Sequence, residues 1–228
     1  MFRQRLRVWF RVVGDKRYLS HHDMMRLWER AIRRAGLPLR MSQGFNPRPK
    51  LSLVEPRSVG IGSEADLLEF ELADWVNPDA VLGALLREVP PEIEVYDLDV
   101  VRPTDKARPQ AVVYVVRLST PCPDLKDRID RLLERSEAMV VRHRPTGDKP
   151  LDARPFIDAL EADGQEVRMV LRTGPSGTVR ADEVLRLLGL EAEAIARADK
   201  RRTEIRLGGL DKRPRERKGF DSVWPKKC

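Results

Sequence analysis

The chain has 228 residues, a length that allows one large domain or two of roughly 100 residues each. Its composition, 41% hydrophobic and 35% charged, provides apolar material for cores and a heavily charged surface, which favours a soluble protein. No apolar run approaches the roughly 20 residues of a membrane helix, and the N-terminus lacks a signal-peptide core, so a cytoplasmic location is expected. Cys122 and Cys228 lie far apart, which argues against a disulfide framework.

The net charge of +7 favours a polyanionic partner, and the charge is unevenly distributed. Residues 1–57 contain fourteen Lys and Arg against four Asp and Glu, whereas residues 58–100 contain one against eleven. The first hundred residues are therefore electrically polarised. Opposite charges of this kind can also cancel across a folded sheet, so the polarity alone does not identify a binding surface.

The first part of the chain begins with a strand pattern and a helix pattern. Residues 5–13 alternate between apolar and mostly basic side chains, which predicts a half-buried strand. Ser20 stands three residues before Asp23, the spacing of a capping box at a helix start. The apolar residues that follow recur at helical spacing and predict an amphipathic helix with a basic outer side; they are Met24, Leu27, Trp28, Ala31 and Ala35.

A ferredoxin-like order follows from the remaining elements of this part. Residues 39–50 contain a glycine and two prolines and are predicted to form a loop. The later elements are strands over 51–54, 67–72 and 93–101 and a helix over 79–88, with Glu69 and Glu71 facing outward from their strand. The resulting order is βαββαβ.

The second part of the chain repeats this theme after a linker predicted over residues 102–110. Its elements are strands over 111–118, 138–144, 156–162, 166–172 and 203–207 and helices over 123–135 and 180–188. The expected fold class is therefore α+β with tandem ferredoxin-like domains, residues 1–101 and 111–207, the second degenerate and carrying an extra strand. Residues 208–228 are predicted to be a disordered basic tail.

The familiar motifs of catalysis do not occur in the sequence. Two separated cysteines cannot supply the three thiolates of a radical iron–sulfur cluster, and no Cys-x-x-Cys or His-x-x-x-His pair indicates zinc. The phosphate loop, the nucleophile elbow and the dinucleotide-binding glycines are also missing. We therefore expect no metal, no cofactor and no enzyme of these classes.

Polar and basic residues gather around the first helix and the loop that follows it. A helix N-terminus at Ser20 offers backbone donors to an anion, and His21 and His22 are candidates for a general acid and base. Phe45 could stack on a base of single-stranded RNA, whereas a core plug is the ordinary role of a phenylalanine. The predicted RNA-binding or phosphate-binding residues are Ser20, His21, Arg26, Arg30, Arg33, Arg34, Gln43, Phe45, Asn46, Arg48 and Lys50.

Simpler roles remain open for the same residues. His21 and His22 can cap the helix and bond neighbouring carbonyls, because polar side chains are common at helix starts. Arg33 and Arg34 can be solvated charges that contribute little. The sequence does not decide between these roles.

Three sequence segments carry a family resemblance. The runs 18–26, 29–38 and 42–50 closely resemble the radical-SAM-linked protein family, whose function is uncharacterised. Members of that family occur fused to, or encoded beside, a B12-binding radical SAM protein, often near ribonuclease E/G and ribosomal protein genes. The family motif falls on Ser20, His21, Asp23, Arg26, Arg30, Arg33, Arg34, Gly44, Phe45, Asn46, Pro47, Pro49 and Lys50. His22 departs from the motif, where a leucine is common, and this weakens a His21/His22 acid–base pair.

Three functions remain after these observations. The first is a non-catalytic accessory protein of RNA or ribosome modification. It either binds RNA or presents a substrate to a separate B12-binding radical SAM enzyme. The second is a metal-independent endoribonuclease of the CRISPR repeat-processing type, using His21. The third is a protein-binding scaffold, whose binding would hardly respond to salt. The sequence does not predict an oligomeric state.

Overall fold

The computed structural model describes residues 4–143, 147–174 and 177–208. Within them the helices are α1 (His21–Arg34), α2 (Pro78–Glu88), α3 (Leu125–Leu133), α4 (Ala181–Leu187) and α5 (Ala192–Arg197), with 3-10 helices at Gly14–Tyr18 and Arg154–Phe156. The strands are β1 (Gln4–Val12), β2 (Leu51–Val54), β3 (Gly62–Leu72), β4 (Ile93–Val101), β5 (Pro109–Arg117), β6 (Met139–Arg142), β7 (Lys149–Asp152), β8 (Ile157–Asp163), β9 (Glu166–Gly174), β10 (Gly177–Thr178) and β11 (Asp199–Leu207). None of these helices has the length and apolarity needed to cross a bilayer.

Nine strands form one large and mostly antiparallel sheet. Its order is β10-β9-β5-β11-β3-β1-β4, with β2 added to β3 and β8 added to β9, while β6 and β7 pair separately. The first part of the chain contributes the neighbours β2-β3-β1-β4, and the second contributes β8-β9-β5-β11. A short parallel pairing of β11 with β3, Arg201 opposite Gly62 and Arg202 opposite Ser63, joins the two. The predicted mixture of helices and strands is confirmed.

Strand β1 is buried on both faces, so the prediction of a half-buried strand was wrong. Its apolar residues Leu6, Val8, Phe10 and Val12 pack under the helices of the first part. On the opposite face, Arg5 and Arg7 are only 8% and 3% exposed. An alternating pattern reports one apolar face, but it does not tell whether ion pairs bury the other.

Helix α1 follows the predicted amphipathic pattern. Met24, Trp28, Ala31 and Ile32 are buried on its inner side. The Trp28 ring meets the ring of Phe10 edge to face, with centroids 4.8 Å apart. Such aromatic pairs add about 0.5–1.5 kcal/mol to the burial term, so α1 is held firmly on the sheet.

Several elements of the second part were not predicted, among them β7 and α5. Strand β7 contains Pro150, a residue that normally argues against a strand and is tolerated where its missing N–H is not needed. Helix α5 has six residues, too few for a helical period to stand out in the sequence. The predicted hairpin of β8 and β9 through Asp163 and Gly164 is confirmed.

The predicted linker contacts the sheet of the first part. The Ala107 amide donates to Glu69 Oε1 at 2.9 Å, and Arg7 Nη2 donates to the Asp105 carbonyl at 3.2 Å. The predicted division into residues 1–101 and 111–207 stays a prediction. Except for Gly208, the predicted tail over 208–228 lies outside the described residues.

Candidate functional site

Ser20 forms the N-cap of α1, as the sequence predicts. Its hydroxyl accepts the Asp23 backbone N–H at 3.2 Å and donates to Asp23 Oδ2 at 2.7 Å. Asp23 therefore binds the capping hydroxyl, and the capping box is only half formed because its side chain does not reach the Ser20 backbone N–H. The cap fixes the direction in which α1 begins.

The two histidines lie exposed at this helix start. Their ring centroids are 5.5 Å apart and the rings are tilted by 57°. Neither imidazole forms a hydrogen bond with a residue that the structure describes. The structural role in which they bond neighbouring carbonyls is therefore not realised, and both rings are accessible to a ligand or a proton.

A small cleft begins beside the helix start and leads toward the junction of β3 and β11. It is lined by Ser20, His21, Met24, residues 53–57, Asp66, Leu67 and Arg202. Its accessible volume is about 10 Å³, room for one water molecule. A larger ligand would therefore rest on the rim, where His21 lies.

A buried ion cluster forms the floor of the cleft, and sequence reasoning missed it. Arg202 on β11 is 1% exposed and donates to the Asp66 carboxylate and to the Glu55 carbonyl. Arg57 Nε donates to the other oxygen of Asp66 at 3.3 Å. Burial opposes the charged form of Arg202, but Asp66, together with Tyr114 and Glu55, outweighs it, so the pKa of Arg202 is raised. One carboxylate thus holds two arginines from distant parts of the chain.

Arg57 connects this cluster to the segment that precedes α1. Its guanidinium donates to the Arg17 carbonyl at 2.9 Å, the Ile61 carbonyl at 2.8 Å and the Lys16 carbonyl at 3.2 Å. These carbonyls belong to the 3-10 helix and to the turn before β3. The position of the α1 start therefore depends on Arg57, and through Asp66 on Arg202.

Glu55 combines an unusual backbone with a partly buried carboxyl group. Its φ of 49° lies in the left-handed region, which is uncommon for a residue other than glycine. Burial raises the pKa of Glu55, and the charge of Arg202 opposes this only partly. A carboxyl group of this kind, on the cleft that His21 also lines, is more readily protonated than an ordinary glutamate.

The four predicted arginines of α1 differ in their partners. Arg33 Nη2 lies 2.9 Å from Glu29 Oε1, and Arg34 Nε lies 2.9 Å from Glu88 Oε2. Arg26 lies only at the 4.0 Å limit from Asp23 and is 71% exposed, and Arg30 has no ion pair with any described residue. Arg26 and Arg30 are one helical turn apart and present free charge on the same side of α1.

The predicted loop is a closed hairpin with an exposed tip. Met41 forms a bridge with Pro49, the Ser42 amide donates to the Arg48 carbonyl at 2.7 Å, and the Arg48 amide donates to Ser42 Oγ at 2.9 Å. Phe45 is fully exposed, at 106% of its reference area, so the role of a core plug is excluded. The tip residues Gln43, Asn46 and Arg48 are exposed, as is Lys50 at the base of the loop.

Strand β2 separates the two parts of the predicted site. The loop ends at Lys50, immediately before β2, whereas His21 lies with Val54 and Glu55 at the other end of that strand. At about 3.3 Å per residue, Lys50 and Val54, at the two ends of this strand, are roughly 13 Å apart. Helix α1 contacts β2, so the helix start and the loop adjoin the same strand without forming a single pocket.

The outer face of β1 and β3 carries a buried ion ladder. Arg5 and Arg40 each lie 2.5 Å from a Glu71 oxygen, and Arg7 Nη2 lies 2.7 Å from Glu69 Oε1. Burial opposes the ionised form of Glu71, but hydrogen bonds from Arg5 and Arg40 outweigh it and lower its pKa. Glu69 and Glu71 lie on the side of β3 away from the helices, as predicted, but they are buried and do not face solvent. Much of the charge polarity in the sequence is cancelled here.

The sequence contains a signal for one member of the buried ion cluster, Asp66. Asp66 stands in phase with Leu68, Phe70 and Leu72, which are buried on the core side of β3. A carboxylate in the apolar phase of a strand requires a buried partner. The partner, Arg202, lies 136 residues away in sequence, and no local pattern indicates that pairing.

Metal ligands do not cluster in the part of the chain that the structure covers. No three His, Cys, Asp or Glu side chains there are grouped so as to hold an ion. The candidate site is therefore described by its cations, its imidazoles and the exposed ring of Phe45.

Comparisons with known proteins place the chain in a family but not in a function. No curated protein matches the sequence. One similar solved structure, an unknown protein from Galdieria sulphuraria, covers 90% of this chain and 99% of its own, at 11% identity and a TM-score of 0.24. Residues 5–181 match a family described as an uncharacterized protein conserved in bacteria, DUF2344. The chain therefore belongs to this uncharacterised conserved bacterial family.

Proposed function

We propose that the chain is a cytoplasmic RNA-binding accessory protein that works with a separate B12-binding radical SAM enzyme. The enzyme is implied by the sequence resemblance, and two separated cysteines give this chain no radical cluster of its own. In this proposal the chain holds an RNA, and the enzyme modifies the RNA or the ribosome.

The observation that carries the proposal is the charge left over after pairing. Arg5 and Arg7 of β1 are paired with Glu69 and Glu71 of β3. Four cations of α1 and its loop are left: Arg30, Arg48 and Lys50 form no ion pair with the described residues, and Arg26 is mostly exposed. Free cations on one edge are what phosphate binding requires, because each contact releases a counterion from the RNA.

The fold favours RNA binding at α1 and its loop rather than on the open face of the sheet. We infer that each half is a ferredoxin-like unit, since β2-β3-β1-β4 and β8-β9-β5-β11 repeat one strand order. RNA-recognition modules of related architecture bind bases on an open sheet face. Here the ion ladder of Arg5, Arg7 and Glu69 is buried on that face, so the helix and loop edge is the surface left for RNA.

Removal of one cation, Arg30, tests whether the charges of α1 and its loop contact RNA phosphates. We expect Arg30→Ala to weaken binding of single-stranded RNA and to reduce the slope of log K against log salt by about 0.7, the value for one phosphate contact on a single strand. Fluorescence anisotropy titrations between 50 and 300 mM salt (roughly the range where such slopes are measured) give the slope.

The matched control for this variant is Arg197→Ala. Arg197 is an exposed helical arginine of the second half, paired with Glu193 at 2.6 Å. It should bind with the wild-type slope. Equal slopes for wild type and Arg30→Ala would remove Arg30 from the interface, and a wild-type slope near zero would favour the protein-binding scaffold.

An endoribonuclease is the second candidate, because His21 and Glu55 line one cleft. The pKa of Glu55 is raised by burial, which suits a proton donor beside an imidazole base. We expect no cleavage by the wild type in the presence of a chelator and less than about a threefold loss of RNA affinity for His21→Ala, since an exposed imidazole at the rim adds little binding.

Gel analysis of end-labelled RNA distinguishes the candidates. Wild-type cleavage that falls roughly 100-fold or more in His21→Ala, with affinity retained, would replace the accessory proposal by the nuclease. His22→Ala is the control, because His22 lies outside the family motif and does not line the cleft.

A further inference from the structure

We propose that the RNA bound by this chain is single-stranded, and that Phe45 is the platform on which one of its bases stacks. This inference rests on the proposed function and names the substrate class of the same site. It is carried by the exposure of the Phe45 ring, the hydrogen bonds that close the loop presenting it and the unpaired cations of the same loop.

The exposure of Phe45 is complete rather than partial. At 106% of its reference area, its ring lies clear of the rest of the chain. Isolated exposed apolar residues are common and need no explanation. Phe45 differs because it lies at the tip of a loop whose base is closed by hydrogen bonds, which places the ring outside the core.

The backbone of the loop is closed at its base, and Phe45 lies at its tip. Met41 and Pro49 bridge its base, and Ser42 bonds Arg48 through both backbone and hydroxyl groups. Gly44, just before Phe45, has a φ of 141° that a residue with a side chain rarely adopts. A loop whose backbone is already closed loses less conformational entropy when its tip binds a base.

The charges beside the ring suit a nucleotide rather than an apolar partner. Arg48 and Lys50 are exposed and form no ion pair within the described residues. A loop that carries both an exposed ring and unpaired cations offers a stacking surface for a base, while its cations can neutralise nearby phosphates. An interface for a protein would more often surround such an aromatic with apolar contacts.

The geometry also selects single strands over duplexes. Bases within an A-form duplex are covered by their neighbours on both faces, and its deep major groove does not admit side chains. The Phe45 ring at a hairpin tip can reach only a base that is already unstacked. A loop, an end or an unpaired segment meets this condition.

The test compares a 12-nucleotide single-stranded RNA of mixed sequence with the same strand annealed to its complement (a probe of about the length that such sites cover). We expect the wild type to prefer the single strand, and Phe45→Ala to lose roughly fivefold to 100-fold of that affinity with the salt slope unchanged. Binding of the duplex should change less than about twofold. Phe45→Trp should retain the affinity, because it keeps an aromatic face.

An abasic probe separates stacking from a general apolar effect. On a strand of the same length without bases, wild type and Phe45→Ala should bind equally, since nothing is left to stack. Equal affinity of wild type and Phe45→Ala for the normal single strand would overturn the inference, as would full affinity of Phe45→Leu or duplex binding as tight as single-strand binding. If Phe45 fails these tests but Arg30→Ala still changes the salt slope, the RNA-binding proposal stands without the stacking inference. If the wild type binds no RNA at all, the RNA-binding proposal and the stacking inference are both wrong.

Discussion

Arg202→Ala is expected to destabilise the chain by about 3–5 kcal/mol, the range for breaking a buried ion pair by removing one partner. The side chain is 1% exposed and donates to Asp66 and to the Glu55 carbonyl. After truncation, Asp66 keeps only Arg57 at 3.3 Å, and an arginine-sized space opens between β3 and β11. Urea unfolding monitored by tryptophan fluorescence gives the change, provided that the slope m is unchanged.

Two further variants define the cause of this loss. Arg202→Lys keeps the charge but loses the planar fork that serves two acceptors, so it should recover only part of the stability. Arg206→Ala, which removes an exposed arginine 3.4 Å from Glu204 on the same strand, should change stability by less than about 1 kcal/mol. An Arg202→Ala protein as stable as Arg206→Ala would show that the ion cluster does not hold β11 to β3.

Removing the four exposed cations of α1 and its loop together is expected to weaken single-stranded RNA binding roughly 100- to 1,000-fold at 0.1 M salt. The variant carries Ala at Arg26, Arg30, Arg48 and Lys50. Each lost phosphate contact removes about 0.7 from the salt slope, and four such losses add when the sites are independent. Anisotropy titration at several salt concentrations measures the affinity and the slope together.

A second quadruple variant controls for the change in net charge. It carries Ala at Lys126, Arg131, Arg135 and Arg197, which are exposed residues of the second half. Its net charge falls by the same amount, but its free edge at α1 is intact. If both variants lose affinity equally, the binding depends on overall charge and the α1 edge is not a specific surface.

The elements that sequence alone predicts are those with a long and regular period. Helix α1 shows an apolar stripe over several turns, and Ser20 is the cap that this stripe requires. The position of strand β1, though not the burial of its second face, and the β8–β9 hairpin follow from alternation and from the Asp163-Gly164 turn. In these cases local propensity and tertiary packing agree, and so the periodic signal is sufficient.

The parts that could not be predicted depend on contacts between distant residues. The burial of Arg5 and Arg7 requires Glu69 and Glu71, which a strand pattern reads as solvent-facing. The pairing of Arg202 with Asp66 joins positions 136 residues apart. Charge patterns in one sequence give no register between strands, so which charges cancel and which remain free is visible only in the fold.

The candidate site also contains features that the sequence indicated and features that only the fold decides. The exposure of Phe45 was one of two alternatives in the sequence, and the closed hairpin decides it. Arg33 and Arg34, which the sequence groups with Arg26 and Arg30, are engaged by Glu29 and Glu88. The surface proposed for RNA therefore contains fewer of the arginines than the sequence motif that first indicated it.

Crosslinking in cells tests most directly whether this chain holds RNA. Wild-type chain and the two quadruple variants would be irradiated in cells, captured under denaturing conditions and analysed for covalently attached RNA by sequencing. The account predicts RNA on the wild type and on the second-half variant, and a loss of it on the Arg26/Arg30/Arg48/Lys50 variant. Absence of RNA on the wild type, with the same protein partners captured by all three forms, would contradict the account and identify the chain as a protein-binding scaffold.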